Sequence, residues 1–282
     1  AVAFLERLLR DATPEDANGT FFSLINLLRQ TEGPDAALAR IDAALSDNQV
    51  QDQIRQTLRA NLLFEMGQRD EGIAAMKATL DPDETTLEGI ELSKAQAALA
   101  QMLLANGDEP GARQLVDDVL AQDATHPNAL KMRANWRISA DDTTAAINDL
   151  RLVLDRNPDD AHAMVLMSNA YGRAGNQDLK QNFLARATEI SNNAPQYALM
   201  QARVLMDVGQ YLQAENVLIS SLRIVPGQVE ILKTLGQVYL NLDDLPRTQH
   251  VAETLARIQT EDAQTEAQAL RTELVARRLG VD

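Results

Sequence analysis

Residues 195–228 read PQYALMQARVLMDVGQYLQAENVLISSLRIVPGQ. Apolar residues recur at helical spacing on both sides of Gly209, so the segment reads as two helices folded back on each other about a glycine turn. The turn residue then recurs along the chain. Gly67, Gly107, Asp141, Gly175, Gly209 and Asp243 lie 40, 34, 34, 34 and 34 residues apart, each between two stretches of helical periodicity. A fixed period of this length is the signature of a repeat array.

Two columns of small residues travel with the turn. Seven residues before it stand Ala60, Ala100, Ala134, Ser168, Ala202 and Gly236; five after it stand Gly72, Ala112, Ala146, Lys180, Ala214 and Thr248. Small side chains at matched places on consecutive helices let two backbones approach closely, as an antiparallel helical hairpin requires. Nine residues after the turn come Met76, Val116, Leu150, Leu184, Leu218 and Ala252, and thirteen after it Leu80, Leu120, Leu154, Thr188, Leu222 and Ala256. Positions four apart share a helical face, which makes these two columns the expected buried seam of each second helix.

A 34-residue helix-turn-helix unit with small residues at its eighth and twentieth positions resembles the tetratricopeptide repeat, with Gly209, Tyr211, Ala214 and Pro226 in the family's places. Leu235, Gly236 and Tyr239 add to the match in the last unit. With the turn as position 15, units start at Gln53, Ser93, Pro127, Ala161, Pro195 and Val229, and a looser one starts near Asn18 with Ala37, Ile41 and Leu45 in phase. The resemblance implies an all-α, right-handed superhelix (α-solenoid) of antiparallel helix pairs. It implies seven repeats over 18–259, a C-terminal capping helix over 260–282, and at 1–17 the second helix of a truncated upstream repeat. An open apolar face at that end predicts a homodimer through it.

Three departures carry expectations of their own. Lys180 fills a normally small site and predicts a splayed or shifted fifth unit. The unit near Asn18 is one residue short around Gly33 and Pro34. Six extra residues around Asp81 to Leu92 predict a longer loop or an early helix start, since the alternating oxygen ligands and central glycine of a calcium loop are missing. At the C-terminal end Thr260 is the expected N-cap of a helix with Ala263, Ala267, Leu270 and Leu274 on one face and Arg277 and Arg278 near its last turn.

Composition narrows the function. The 282 residues hold no cysteine, which removes disulfide frameworks and thiolate metal sites. With 41 acidic against 26 basic side chains the summed field repels nucleic acid and anionic membranes, and no apolar run reaches the roughly 20 residues of a membrane span. His126, His162 and His250 have no metal spacing, and no nucleophile elbow, phosphate loop or dinucleotide fingerprint is present. The acidic doublets Asp117–Asp118, Asp141–Asp142, Asp159–Asp160 and Asp243–Asp244 read as solvated caps and turns. Neither an enzyme nor a bound cofactor or metal is expected.

What remains is an interaction surface. The resemblance implies that positions 2, 5, 9 and 12 of each first helix face a concave groove. Position 9 reads Asn26, Asn61, Gln101, Asn135, Asn169, Arg203 and Gln237, so carboxamides fill six of seven places. An amide offers a donor and an acceptor, and a row of them suits the N–H and C=O groups of an extended peptide whatever its side chains. Lys94, Lys131, His162, Arg173, Arg203 and Lys233 predict a groove less acidic than the outside, and Ile54, Phe64, Leu104, Ile138, Val165, Leu199, Met206 and Leu240 supply apolar contacts. Lys131 with Asn135 resembles half of the carboxylate clamp of chaperone-binding relatives; Leu166 and Met200 stand where the other half belongs. The expectation is a scaffold that binds a protein or peptide partner, the alternative a module for self-association within a larger envelope or secretion protein. The 21 arginines against 5 lysines, with abundant alanine, suit a GC-rich bacterium and by analogy its envelope or periplasm.

Overall fold

The computed structural model describes residues 1–44 and 49–279, and among them every regular element is a helix. The chain divides into two compact units, Ala1–Arg133 and Ala134–Asp282. The first contains α1 (Val2–Asp11), α2 (Pro14–Thr31), α3 (Pro34–Asp42), α4 (Gln49–Glu65), α5 (Arg69–Thr79), α6 (Gly89–Ala105) and α7 (Glu109–Gln122), and the division falls within α8 (Pro127–Ser139). The second continues with α9 (Thr143–Arg156), α10 (Ala161–Arg173), α11 (Gln177–Ile190), α12 (Pro195–Asp207), α13 (Tyr211–Ile224), α14 (Val229–Asn241), α15 (Leu245–Ala256) and α16 (Glu261–Leu279). In each unit consecutive helices pack as hairpins, α4 on α5, α6 on α7, α10 on α11, α12 on α13 and α14 on α15, and each hairpin stacks on the next.

One hydrogen-bond pattern closes these hairpins. Gly67, Gly107, Gly175 and Gly209 have φ between 75° and 89°, and Asp141 and Asp243 take φ 63° and 55° in the same place. A left-handed residue there lets the next N–H turn back to the carbonyl five residues earlier: Gln68 to Leu63 at 3.0 Å, Asp108 to Leu103 at 2.8 Å, Asp142 to Arg137 at 2.8 Å, Asn176 to Tyr171 at 2.9 Å. The residue that donates this bond is then the N-cap of the second helix, where Asp108, Asp142, Asn176 and Asp244 accept from backbone N–H groups three residues on. The first hairpin differs by one residue. There Gly33, at φ 97°, itself donates to Leu28 at 3.1 Å and is itself the N-cap of α3. Register is kept, because Ile25, Leu28, Ala37 and Ile41 are buried as a start at Asn18 requires. Leu45 lies outside the described residues.

Burial follows the small columns. Ala60, Ala100, Ala112, Ala146, Ala202 and Ala214 are all 0% exposed. A Cβ on Gly72 would stand 2.8 Å from the carbonyl oxygen of Ala60 and 2.9 Å from the nitrogen of Phe64, so α4 and α5 touch backbone to backbone. Lys180 does not splay its hairpin: the Ser168 hydroxyl donates to the Lys180 carbonyl at 2.8 Å, and the lysine stem runs over Gly172. The seam of the second helices is corrected in one column. Met76, Val116, Leu150, Leu184, Leu218 and Ala252 are buried as expected, and of the second column Leu120 and Thr188 are buried too; Leu80, Leu154, Leu222 and Ala256 are only partly buried, and the residues buried in every unit are instead Thr79, Val119, Val153, Ala187, Ser221 and Leu255. Positions three apart share a helical face as well as positions four apart, so the seam runs through the nearer column in every unit and reaches the farther one only at Leu120 and Thr188.

Among the extra residues, both expectations combine: a loop runs to Glu88, and α6 starts four residues ahead of Ser93. At the other end α16 buries Ala263, Ala267, Leu270 and Leu274 against α14 and α15, with the Thr260 hydroxyl accepting from the Ala263 N–H at 3.3 Å. Gly236 makes room for it, because a Cβ there would meet Leu270 at 2.7 Å.

Candidate functional site

Helical spacing places Ile54, Thr57, Leu58 and Asn61 on one face of α4. That face looks into a groove of about 510 Å³ in the first unit. From α2 come Asn18, Gly19 and Phe22, and from α6 and the loop before it come Leu87, Glu91 and Lys94. Positions 2, 5 and 9 of the repeat supply six of these residues: Gly19, Ile54 and Lys94, Phe22 and Thr57, and Asn61. The floor is apolar. Phe22 is 51% exposed, an unusual state for a phenylalanine, while Leu87 is buried beneath the rim.

The polar groups are largely committed within the chain. Thr57 donates to the Gln53 carbonyl at 3.0 Å, and the Asn61 amide nitrogen donates to the Thr57 carbonyl at 2.9 Å. Lys94 is paired with Glu91 at 2.9 Å. Gln53 pins the loop at the rim: its Oε1 accepts from the Thr86 N–H at 2.7 Å and the Thr86 hydroxyl at 2.8 Å, and its Nε2 donates to the Glu84 carbonyl at 3.0 Å. This orders a stretch in which Asp81, Asp83, Glu84 and Glu88 are all exposed.

Of the amide column, Asn26, Asn61 and Gln101 lie in the first unit on α2, α4 and α6. Asn135, Asn169, Arg203 and Gln237 lie in the second on α8, α10, α12 and α14, all four exposed. Gln101 is exposed as well, and among the described residues the side chains of Gln101, Asn135, Asn169 and Gln237 have no hydrogen-bond partner in the chain. Only Asn61 of this column enters the groove.

Four of the cations expected to make the groove less acidic than the outside have carboxylate partners within the chain. Besides Lys94, Arg173 meets Asp141 at 2.8 Å, Arg203 meets Glu230 at 3.9 Å, and Lys233 meets Glu266. Its hydrogen bond to Glu266 raises the Lys233 pKa, so that charge persists and stays neutralised. Lys131 is half-buried and His162 exposed, each with a partner in the chain. Three of the apolar contacts are withdrawn too, since Ile138, Val165 and Leu240 are buried in the hairpins. Leu166, buried, and Met200, exposed, are both apolar and supply no basic half of a carboxylate clamp. Phe22, Thr57, Leu58 and Leu87 were not singled out by sequence, although the first two are position 5 of their units. Among the described residues no cluster of His, Asp or Glu could hold a metal, and no helix is long and apolar enough to cross a membrane.

Residues 57–127, from α4 through α7, match the sequence profile of the tetratricopeptide repeat. No curated protein matches the chain. Among solved structures, a tetratricopeptide repeat protein from Parabacteroides merdae aligns with a TM-score of 0.56 at 12% identity over 92% of this chain and 98% of that one. PilF of Pseudomonas aeruginosa aligns at 0.59 and 14% identity over 80% and 100%, and PilW, a widely conserved type IV pilus biogenesis factor, at 0.61 and 16% over 76% and 98%. At these identities the likeness is one of fold. The tetratricopeptide repeat is thus matched on residues 57–127, and most of the chain shares the helix-pair fold of proteins built from that repeat.

Proposed function

We propose that the protein is a non-catalytic scaffold whose first helices hold extended polypeptide in each unit, through Asn26, Asn61 and Gln101 in the first and Asn135, Asn169 and Gln237, with Arg203 in the same column, in the second. One observation carries this reading: Gln101, Asn135, Asn169 and Gln237 are exposed and spend no hydrogen bond within the chain. Amides that only set repeat spacing would be paired to a neighbouring helix. Each bond to a peptide contributes roughly 0.5–1.5 kcal/mol net, so several together offset the ordering of the ligand.

Asn135→Ala with Asn169→Ala tests it. Partner capture should fall by about tenfold, the effect of one to two such bonds, while the melting temperature stays unchanged. Loss of stability with capture intact would make the column structural. The partner is sought first at a bacterial envelope, because PilW shares the fold and is a pilus biogenesis factor; cell fractionation tests the location. A second reading, self-association, draws on α1, where Phe4 is 65% and Leu8 43% exposed. A single monomeric species in sedimentation at high concentration would remove it.

A further inference from the structure

We propose that the groove between α2, α4 and α6 takes a bulky apolar side chain from a positively charged polypeptide segment, and that the acidic loop before α6 selects that charge. The inference rests on the peptide-binding reading and names the partner's chemistry at one place.

The size and floor call for an apolar anchor. A volume of about 510 Å³ lies within the range of sites that enclose small organic groups, and Phe22, Ile54, Leu58 and Leu87 line it. An exposed aromatic beside a concave apolar floor gains contact area only from an incoming side chain.

The charge follows from the rim. The groove's one cation, Lys94, is neutralised by Glu91. Around it Asp81, Asp83, Glu84 and Glu88 are exposed, and among the described residues none of the four is in an ion pair. No lysine or arginine occurs between Lys77 and Lys94. Because Gln53 fixes the loop through three hydrogen bonds, these carboxylates are held near the opening rather than free to swing away. An acidic segment would be repelled there, whereas lysines or arginines flanking the anchor would be attracted over the screening length of about 8 Å at physiological salt.

The test is fluorescence anisotropy of labelled peptides with the whole chain. One probe has a central Leu-Phe pair with lysines on either side; a second replaces Leu-Phe by Ala-Ala; a third keeps Leu-Phe and replaces the lysines by glutamates. The first should bind at least about tenfold more tightly than either of the others. Phe22→Ser should weaken it by a similar factor, with circular dichroism and melting unchanged because that side chain is half exposed. Neutralising the rim with D83N, E84Q and E88Q should weaken the lysine peptide several-fold, more at about 50 mM salt than at about 300 mM. D117N with D118N, exposed acids on α7, should not. Equal binding of the Leu-Phe and Ala-Ala peptides would overturn the proposal as mere charge attraction. Equal binding of the glutamate-flanked peptide, or equal loss from the α7 variant, would overturn the selecting role of the loop. If these results fail while capture still depends on Asn135 and Asn169, this inference falls and the peptide-binding reading stands; if capture ignores those amides, that reading falls.

Discussion

At φ 63° and 55°, Asp141 and Asp243 occupy backbone that four other turns give to glycine. A Cβ in left-handed backbone costs roughly 1–2 kcal/mol, part of which aspartate recovers through local hydrogen bonding. Asp141→Gly should therefore raise stability by about 0.5 kcal/mol, and Gly107→Ala should lower it by about 1 kcal/mol, both read as shifts in urea midpoint at constant slope. His126 is a second residue with a consequence. It is 8% exposed, and the Ala129 N–H donates to its Nδ1 at 3.4 Å, so the neutral ring caps α8. Burial lowers its pKa below 6.5, with Lys94 adding to the fall and Asp123 opposing it. As pH drops below 6.5 the unfolded chain takes up the proton first, so the stability lent by the neutral ring is full above 6.5 and is lost as pH falls through the lower folded value. His126→Asn keeps a capping acceptor without titrating; its urea midpoint should change less between about pH 7 and about pH 5 than that of the parent. The turn glycines were legible because each is a local demand, repeated at a fixed phase. The histidine was legible only as a lone residue, since its burial depends on packing.

Within the hairpins, backbone approach decides which substitutions are tolerated. Gly72→Ala forces a Cβ to 2.8 Å from the Ala60 carbonyl oxygen, where no flexible side chain gives way. A cost of about 2 kcal/mol is expected, in the range of overpacked cores. Lys180 fills the equivalent place one helix pair after another without such a cost, because it faces Gly172 and its stem escapes along the surface. Between α13, α14 and α15, Glu215 is 9% exposed; it accepts from the Tyr239 hydroxyl at 3.1 Å and pairs with Arg247, whose guanidinium lies 4.4 Å from the Tyr239 ring centroid. Arg247→Met leaves that carboxylate near-buried without its cation. The arginine is itself 44% exposed, so solvent screening limits the expected loss to about 1–2 kcal/mol, measured by denaturant titration. Sequence columns located the small residues of these hairpins, but one seam column holds only at Leu120 and Thr188; elsewhere the residue one position earlier is the buried one, because spacings of three and four both keep to one helical face.

For the molecule, a net charge of −15 sets the background on which recognition operates. If the rim carboxylates act as proposed, affinity for a basic peptide falls as salt rises, whereas capture through the amides of the second unit is nearly independent of it. The period, the helix pairs, their turns and their caps were determined by the sequence itself. Each follows from steric or hydrogen-bonding needs that are satisfied within one hairpin and repeat along the chain. The tertiary structure alone decided which polar side chains are spent and which are available. Arg173 is neutralised by Asp141 and Lys233 by Glu266, and the Gln53 amide is spent in hydrogen bonds to the loop at Glu84 and Thr86. Those partners come from turns, loops and helices about one repeat away, and a column of residue types carries no record of where a flexible side chain finds its partner.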